Sequence, residues 1–224
     1  MNLHMTDPVK SVVQKHWHGR AARYDEQANH GIHSAAQRDA WLKVLGDFAG
    51  TRPQNILDIG AGTGFLSLLL AELGHHVVGV DLAEGMLERA REKASAANLD
   101  VTFMLADAES IDASDASFDL AIERHVLWTL PHPSEALIEW KRLLRPGGSV
   151  GLIEGDWGSP ASPDYLPIQD SLPLLGGKPS PEIVALLQET GFGEIRIEPL
   201  MSQDLWGAEV TRERYLAIGR RLAR

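Results

Sequence analysis

The sequence contains no cysteine. That excludes disulfides, thiolate metal ligands, a cysteine nucleophile and any thiol relay, and it fits a reducing compartment. Long apolar runs are also missing. The longest, Phe65 to Ala71, is interrupted by Ser67 and is far too short to cross a bilayer. Positive charge is scarce: Lys and Arg number 21 against 31 Asp and Glu, a formal charge of -10. Such a surface repels nucleic-acid phosphates and anionic lipid headgroups, and no basic cluster is longer than a short pair. Asp7 and Pro8 stand where a signal peptide would need an apolar run. These absences lead us to expect a cytoplasmic, soluble protein, monomer or homodimer, with no nucleic-acid or membrane partner.

What is present is enough chain for one domain. At 224 residues it buries roughly 70% or more of its unfolded surface without covalent staples. Five of the nine histidines precede residue 34, which sets the first fifty residues apart as an arm. Asp7-Pro8 signals a helix start, followed by Val9, Val12, Val13 and Trp17 at helical spacing. Ser34 with Gln37 reads as a capping box for a second helix with Ala40, Trp41, Val44, Leu45 and Phe48 on its apolar face. The pairs His16 with His18 and His30 with His33 raise a metal reading, but no third ligand accompanies them. No metal is expected.

From Gln54 the pattern alternates. Strands are predicted at Ile56–Ile59, His76–Val80, Val101–Leu105, Phe118–Ile122 and Val150–Ile153. Helices are predicted at Phe65–Leu73, Ala83–Ala97 and Ser134–Leu144. Residues 156–180 read as loop and Pro181–Thr190 as helix. Two last strands fall around Ile195 and Ile197 and at Tyr215–Ile218. Alternation of this kind gives an α/β fold: a Rossmann-like, doubly wound, mostly parallel seven-stranded sheet, with residues 1–50 as a helical lid on a core of 51–224. In such sheets ligands bind beyond the carboxyl ends of the strands. Those ends carry Gly60–Gly64, Asp81, Asp107, Glu123 to His125, and Glu154 to Asp156.

The glycines of ILDIGAGTG imply a backbone that approaches something closely. A pyrophosphate is a poor candidate beside Asp58 and the acids at the following strand ends. A cationic nucleoside suits that ring, with the loop's N–H groups free for a single carboxylate. The successive motifs LDIGAGTG, GVDLAEGMLERARE, LADAES and FDLAIERHVLWTLPHPSEALIEWKRLLRPGGSVGLIE resemble those of class I S-adenosylmethionine-dependent methyltransferases, from about Gln54 to Glu154.

That resemblance implies a set of roles. Gly60, Ala61, Gly62, Thr63 and Gly64 would wrap the methionyl part of S-adenosyl-L-methionine, with Asp58 near its amino group. Asp81 would take the ribose hydroxyls, with Leu82 and Met86 near the adenine. Asp107 would accept from the adenine amino group beside Ala108, and the backbone near Glu123 would face the methionyl ammonium. WHGRAARYD resembles the lid helix of the small-molecule branch, which places Trp17 and Tyr24 over the cofactor. Structural duties compete with some of these roles. Asp81 with Glu84 imitates a capping box, Asp107 suits a turn, and Asp58 could tie down the glycine loop.

His125, just past the fourth strand, is the candidate base. Arg124 is placed to bind an anionic or carbonyl oxygen of the acceptor, or to pair with Glu123 or Glu154. Trp17, Tyr24, Trp128 and Trp157 would line an aromatic-sized pocket, and Glu154 would orient the acceptor or hold a proton. The expected reaction is methyl transfer to a nitrogen or oxygen of a small, aromatic or heterocyclic metabolite. Two rivals remain. Gly60-x-Gly62 with an acid some twenty residues on imitates an NAD(P) fingerprint, but its third glycine falls at Phe65. A non-catalytic S-adenosylmethionine-binding protein would use the same fold.

Overall fold

The computed structural model describes residues 7–158 and 162–223. The arm holds α1 (Pro8–Arg20), a 3-10 turn at Ala21–Glu26, and α2 (Ala35–Ala49). Asp7 starts α1 by accepting from the Val9 N–H at 2.7 Å, and Pro8 costs nothing at a first-turn position. Ser34 starts α2 by accepting from the Gln37 N–H at 3.1 Å. The core then runs β1 (Asn55–Ile59), α3 (Phe65–Glu72), β2 (His76–Asp81), α4 (Glu84–Ala97), β3 (Val101–Leu105), β4 (Phe118–Arg124) and α5 (Pro133–Leu143). It continues with β5 (Leu144–Gly155), α6 (Ser180–Glu189), β6 (Gly193–Pro199), α7 (Gln203–Trp206) and β7 (Arg214–Arg220).

The seven strands lie in the order β3-β2-β1-β4-β5-β7-β6. The pairs among β1 to β5 are parallel, and β7 runs antiparallel to both β5 and β6. All five parallel strands therefore end on one edge. The order reverses between β1 and β4, which opens a crevice there.

The central strands β1 and β4 and the second half of β5 are buried on both faces, so they read as apolar runs rather than alternating ones. One face packs Leu57, Ile59, Ala121 and Leu152 against Leu137 and Trp140 of α5 and Ile183 and Leu187 of α6. The other packs Ile56, Ile122 and Ile153 against Trp41 and Leu45 of α2 and Phe65, Leu66 and Leu70 of α3. Each fully buried large side chain contributes about 1.5–3 kcal/mol. Among the described residues of the arm, α1, the turn after it and Gln27, Asn29 and His30 line the crevice. Helix α2 is a core helix, because Trp41 and Leu45 are fully enclosed.

Three local expectations are corrected. The extended chain of β5 begins at Leu144 rather than Val150, because Leu144 already pairs with Phe118 before a register shift. The 156–180 stretch holds a 3-10 segment, Pro163–Ser171, started by the Ser162 hydroxyl accepting from the Asp164 N–H. Residues 159–161 of that stretch lie outside the described ones. The short α7 was not anticipated; it buries Trp206 against Trp41.

Candidate active site

A cavity of about 350 Å³ lies over the carboxyl ends of β1, β2, β3 and β4, roofed by α1, the 21–26 turn and the 162–176 segment. Its size falls within the usual range for small-molecule sites, about 300–1,000 Å³.

The glycine turn forms its floor. Gly60, Gly62 and Gly64 have φ of +65°, +56° and +85°, a region costly for residues with a Cβ. The turn is tied to β2: the Ala61 N–H donates to the Val80 carbonyl at 2.9 Å, and the Gly62 N–H donates to Asp81 Oδ2 at 2.9 Å. A Cβ on Gly60 would stand 2.2 Å from Val126, so that glycine is required by packing. A Cβ on Gly62 would meet nothing closer than 3.9 Å and would project beside the cavity.

The acids of the strand ends divide into two groups. Asp81 and Asp107 line the cavity; Asp58, Glu123 and Glu154 are enclosed in its wall, with no lining role among the described residues. The other Asp81 oxygen accepts from the Ala83 N–H at 2.8 Å. Burial pushes its carboxyl up to about 6 despite these bonds. Asp58 accepts from the Ser67 hydroxyl at 2.5 Å, joining β1 to α3, and burial raises it to about 7. Glu123 accepts from the Val126 N–H at 2.7 Å and Glu154 from the Leu127 N–H at 3.1 Å. Both are pushed up, Glu123 by burial and by its neighbour's charge, Glu154 by burial. Between them they anchor the turn that follows His125.

Three residues spaced four apart on α1 reach the Asp81–Asp107 end of the cavity. Lys10 Nζ lies 2.6 Å from Asp107 Oδ2 and also pairs with Glu109. Gln14 donates to the Leu82 carbonyl at 2.9 Å. His18 Nδ1 accepts from the Gly85 N–H at 3.1 Å, where Ala83 gives α4 no side-chain cap. Farther round the helix, His16 Nδ1 stands 2.7 Å from Asp164 Oδ2 and its ring meets Tyr165 edge-on at 5.0 Å. The following turn is held by Asp25, which accepts from the Thr63 hydroxyl at 2.5 Å and pairs with Lys93 at 2.8 Å.

The histidines of the arm thus have separate duties: His30 stacks on Tyr24 at 4.2 Å, and His33 Nε2 lies 2.9 Å from the Gln27 carbonyl oxygen. Among the described residues no three His, Cys, Asp or Glu form a group that could hold a metal.

At the far end the walls are aromatic. Trp17 meets Tyr24 at 5.8 Å and Trp128 at 6.3 Å, both edge-on. His125 follows β4 with φ +63°. Its backbone N–H donates to the Ile153 carbonyl at 3.1 Å, and its ring meets Trp157 edge-on at 4.3 Å. Its Nε2 is buried with no hydrogen-bond partner among the described residues. Burial, then the Arg124 charge, holds this imidazole well below its ordinary value, so it is neutral at pH 7. Arg124 pairs with neither Glu123 nor Glu154. Its guanidinium lies over Phe65 at 4.2 Å, between Trp41 and Trp206, and donates to the Asn29 carbonyl. Burial lowers it to about 10.

Of the residues singled out from the sequence, thirteen line the cavity: Trp17, Tyr24, Gly60, Gly62, Asp81, Leu82, Met86, Asp107, Ala108, Arg124, His125, Trp128 and Trp157. Asp58, Ala61, Thr63, Gly64, Glu123 and Glu154 support the wall instead. The cavity also takes Lys10, His16, Arg20, His30 and Tyr165, which the sequence reading did not place there. The four-residue spacing of Lys10, Gln14 and His18 was visible; the surface it docks on was not.

S-adenosylmethionine fits these residues. Gly62 leaves room where a Cβ would intrude, and Asp81 is fixed by two backbone N–H groups with lone pairs left for a diol. Met86, Leu82 and Ala108 give an apolar slot for a base, and the basic side chain that reaches the glycine turn, Lys93, is paired with Asp25.

Comparison with known proteins agrees. Residues 57–152 match the family model described as a methyltransferase domain. Over 142 residues the chain is 34% identical to malonyl-(acyl-carrier protein) O-methyltransferase of Serratia marcescens, covering 63% of this chain and 51% of that one. Over 216 residues it is 28% identical to 27-O-demethylrifamycin SV methyltransferase of Amycolatopsis mediterranei, covering 90% and 79%. The solved structure of the cyclase SpnF shares the fold, with a TM-score of 0.76 at 19% identity over 97% of this chain and 98% of that one. The chain spans about half the length of several curated methyltransferases that it matches. Residues 57–152 carry the methyltransferase domain of that family model, and the chain as a whole resembles class I S-adenosylmethionine-dependent methyltransferases.

Proposed function

We propose that this chain transfers the methyl group of S-adenosylmethionine to a nitrogen or oxygen of a small aromatic or heterocyclic metabolite. The observation that carries this reading is one continuous cavity. It joins the Gly60–Gly62 turn, Asp81 and Asp107 to a compartment walled by Trp17, Trp128 and Trp157. The bound cofactor supplies a methyl carbon activated by a sulfonium. Asp81 accepts from the ribose hydroxyls, the Gly60–Gly62 turn gives way to the methionyl chain, and Asp107 shares its outer oxygen between Lys10 and the adenine edge. Asp58, raised to about 7 and so partly ionised near neutral pH, contributes negative potential from within the wall.

The chain's own part in catalysis is mainly alignment, which in general supplies roughly 7–11 kcal/mol. Trp17 and Tyr24 close over the site from the arm while Trp128 and Trp157 hold a planar acceptor, and closure by α1 excludes water. His125 takes a proton at Nε2 from acceptors that must lose one. Its neutral, buried ring is the form needed for that, though a weak base. Glu154 acts through the turn it anchors rather than by touching the acceptor.

The test pairs two measurements. Calorimetry with S-adenosylhomocysteine and with NADH should give binding of the first alone. A panel of aromatic and heterocyclic acceptors with labelled methyl donor should give a methylated product. Binding without turnover of any acceptor would favour a non-catalytic role; preference for NADH would overturn the reading.

A further inference from the structure

In a chain with ten more acids than bases, an arginine without a carboxylate is notable. Arg38, Arg89, Arg91, Arg142, Arg145 and Arg220 all form ion pairs. Among the described residues Arg20, Arg52, Arg124, Arg214 and Arg221 form none, and three of these five, Arg20, Arg124 and Arg214, lie at the aromatic end of the cavity. Arg20, on the last turn of α1, and Arg124 line it. Arg214 lies one ring behind, its guanidinium 3.9 Å over Trp157, donating to the carbonyls of Asp156 and Glu213. The nearby Asp156 carboxylate is already taken by Arg212 at 3.0 Å.

The lining carboxylates are Asp81 and Asp107, both at the nucleoside end. The cavity is therefore polar in charge, acids at one end and guanidiniums at the other. Neighbouring groups register this field. His30 is held down to about 4 and His125 well below its ordinary value, by burial first and then by arginine charge. Tyr24 and Tyr165, also lining, are raised by burial; Arg124 and then Arg20 pull Tyr24 back against Asp81 and Asp25, and a bond to Trp17 and then Arg20 pull Tyr165 back against Asp164. Glu123, Glu154 and Asp58 lie behind this end, but burial raises all three, Asp58 to about 7, so they offset the arginines only in part; Asp25 is taken by Lys93, and Asp164 stands beside His16.

We propose that the methyl acceptor bears an acidic oxygen and is bound as its anion, a carboxylate or an ionised phenol, with Arg20 and Arg124 as its counter-charges. This deepens the methyltransferase reading and rests on it. The acceptor loses its proton to solvent on entering. Its oxyanion then displaces the thioether from the methyl carbon: the O–C bond forms, the C–S bond breaks, and that electron pair stays on sulfur. The positive charge of the donor and the negative charge of the acceptor cancel, so the products are a neutral ester or ether and a neutral thioether. No base acts in this step, and the neutral His125 ring serves to orient.

The test uses the whole chain saturated with S-adenosylhomocysteine. Ionisation of 4-nitrophenol is followed by its absorbance, free and bound, and binding of benzoate, benzamide and aniline is followed by tryptophan quenching. Bound 4-nitrophenol should ionise at lower pH than free, and benzoate should outbind benzamide and aniline. Arg20→Gln should weaken benzoate binding about tenfold, the size of one charge-assisted contact, with S-adenosylhomocysteine affinity unchanged. An unshifted or raised ionisation of the bound phenol, equal binding of acid and amide, or no binding of either anion overturns the proposal alone. If S-adenosylhomocysteine itself fails to bind, the methyltransferase reading falls and takes this inference with it.

Discussion

Lys10 Nζ lies 2.6 Å from Asp107 Oδ2, joining the first turn of α1 to the end of β3 across 97 residues of chain. Both side chains are largely enclosed, 14% and 16% exposed, so water screens the pair weakly. Lys10→Met should loosen α1 from the core. Amide exchange over residues 8–20 should quicken several-fold and the fold should lose about 1 kcal/mol. Exchange equal to wild type would show that Gln14 and His18 hold the helix without it.

Asp81 anchors the glycine turn, and under the proposed function it also binds the cofactor's ribose. Its raised value, about 6, means that folding stability from this group is fully present below 3.8 and is lost as pH rises through about 6, where ionisation becomes a cost. Ligand binding has the opposite sign, because a diol needs the ionised carboxylate. S-adenosylhomocysteine affinity should fall as pH drops through about 6, and Asp81→Ala should weaken it by at least tenfold at pH 7. Calorimetry across that range decides.

The two glycines of the turn should fail differently. Gly60→Ala drives a Cβ to 2.2 Å from Val126 at φ +65°, so the protein should melt lower by several degrees or not fold. Gly62→Ala has room in the empty fold and carries only left-handed strain of about 1–2 kcal/mol. It should remain folded by circular dichroism yet lose S-adenosylhomocysteine affinity. Normal affinity in Gly62→Ala would place the cofactor elsewhere.

Glu123 and Glu154 are 0% and 2% exposed and both favour protonation. Raised carboxyls give stability that is present at low pH and lost as pH rises through their folded values. Wild-type melting temperature should therefore fall on the alkaline side of neutrality. Glu154→Gln keeps an acceptor for the Leu127 N–H and removes one ionisation, so its melting temperature should fall less over the same range. Parallel curves would show that the pair does not titrate with folding.

His125→Ala should separate acceptor classes. Acceptors that must lose a proton should slow by about 10² in kcat, while those bound as anions should slow far less. Cofactor affinity should hold in both cases. Equal turnover for every acceptor would remove His125 from the chemistry.

Much of this was legible in the chain order. The apolar runs of β1, β2 and β4 and the capping residues Asp7 and Ser34 are local signals, and they gave element type with ends wrong by one or two residues. Where long-range pairing decides, the signal faded. Leu144 is strand because Phe118 pairs with it, and the Pro163–Ser171 segment is ordered by α1 packing on it rather than by its own pattern.

The sequence by itself determined which acids and glycines arrive at the ends of the parallel strands, because a strand's period and a turn's φ are set by neighbouring residues. It could not say which of those acids face a ligand. Asp81 and Asp107 reach the cavity while Asp58, Glu123 and Glu154 are sealed behind it, and Arg20, Arg124 and Arg214 converge from three distant segments. That sorting is made only when α1, β4 and β7 pack together, since burial and charge proximity are properties of the assembled volume and not of any stretch of chain.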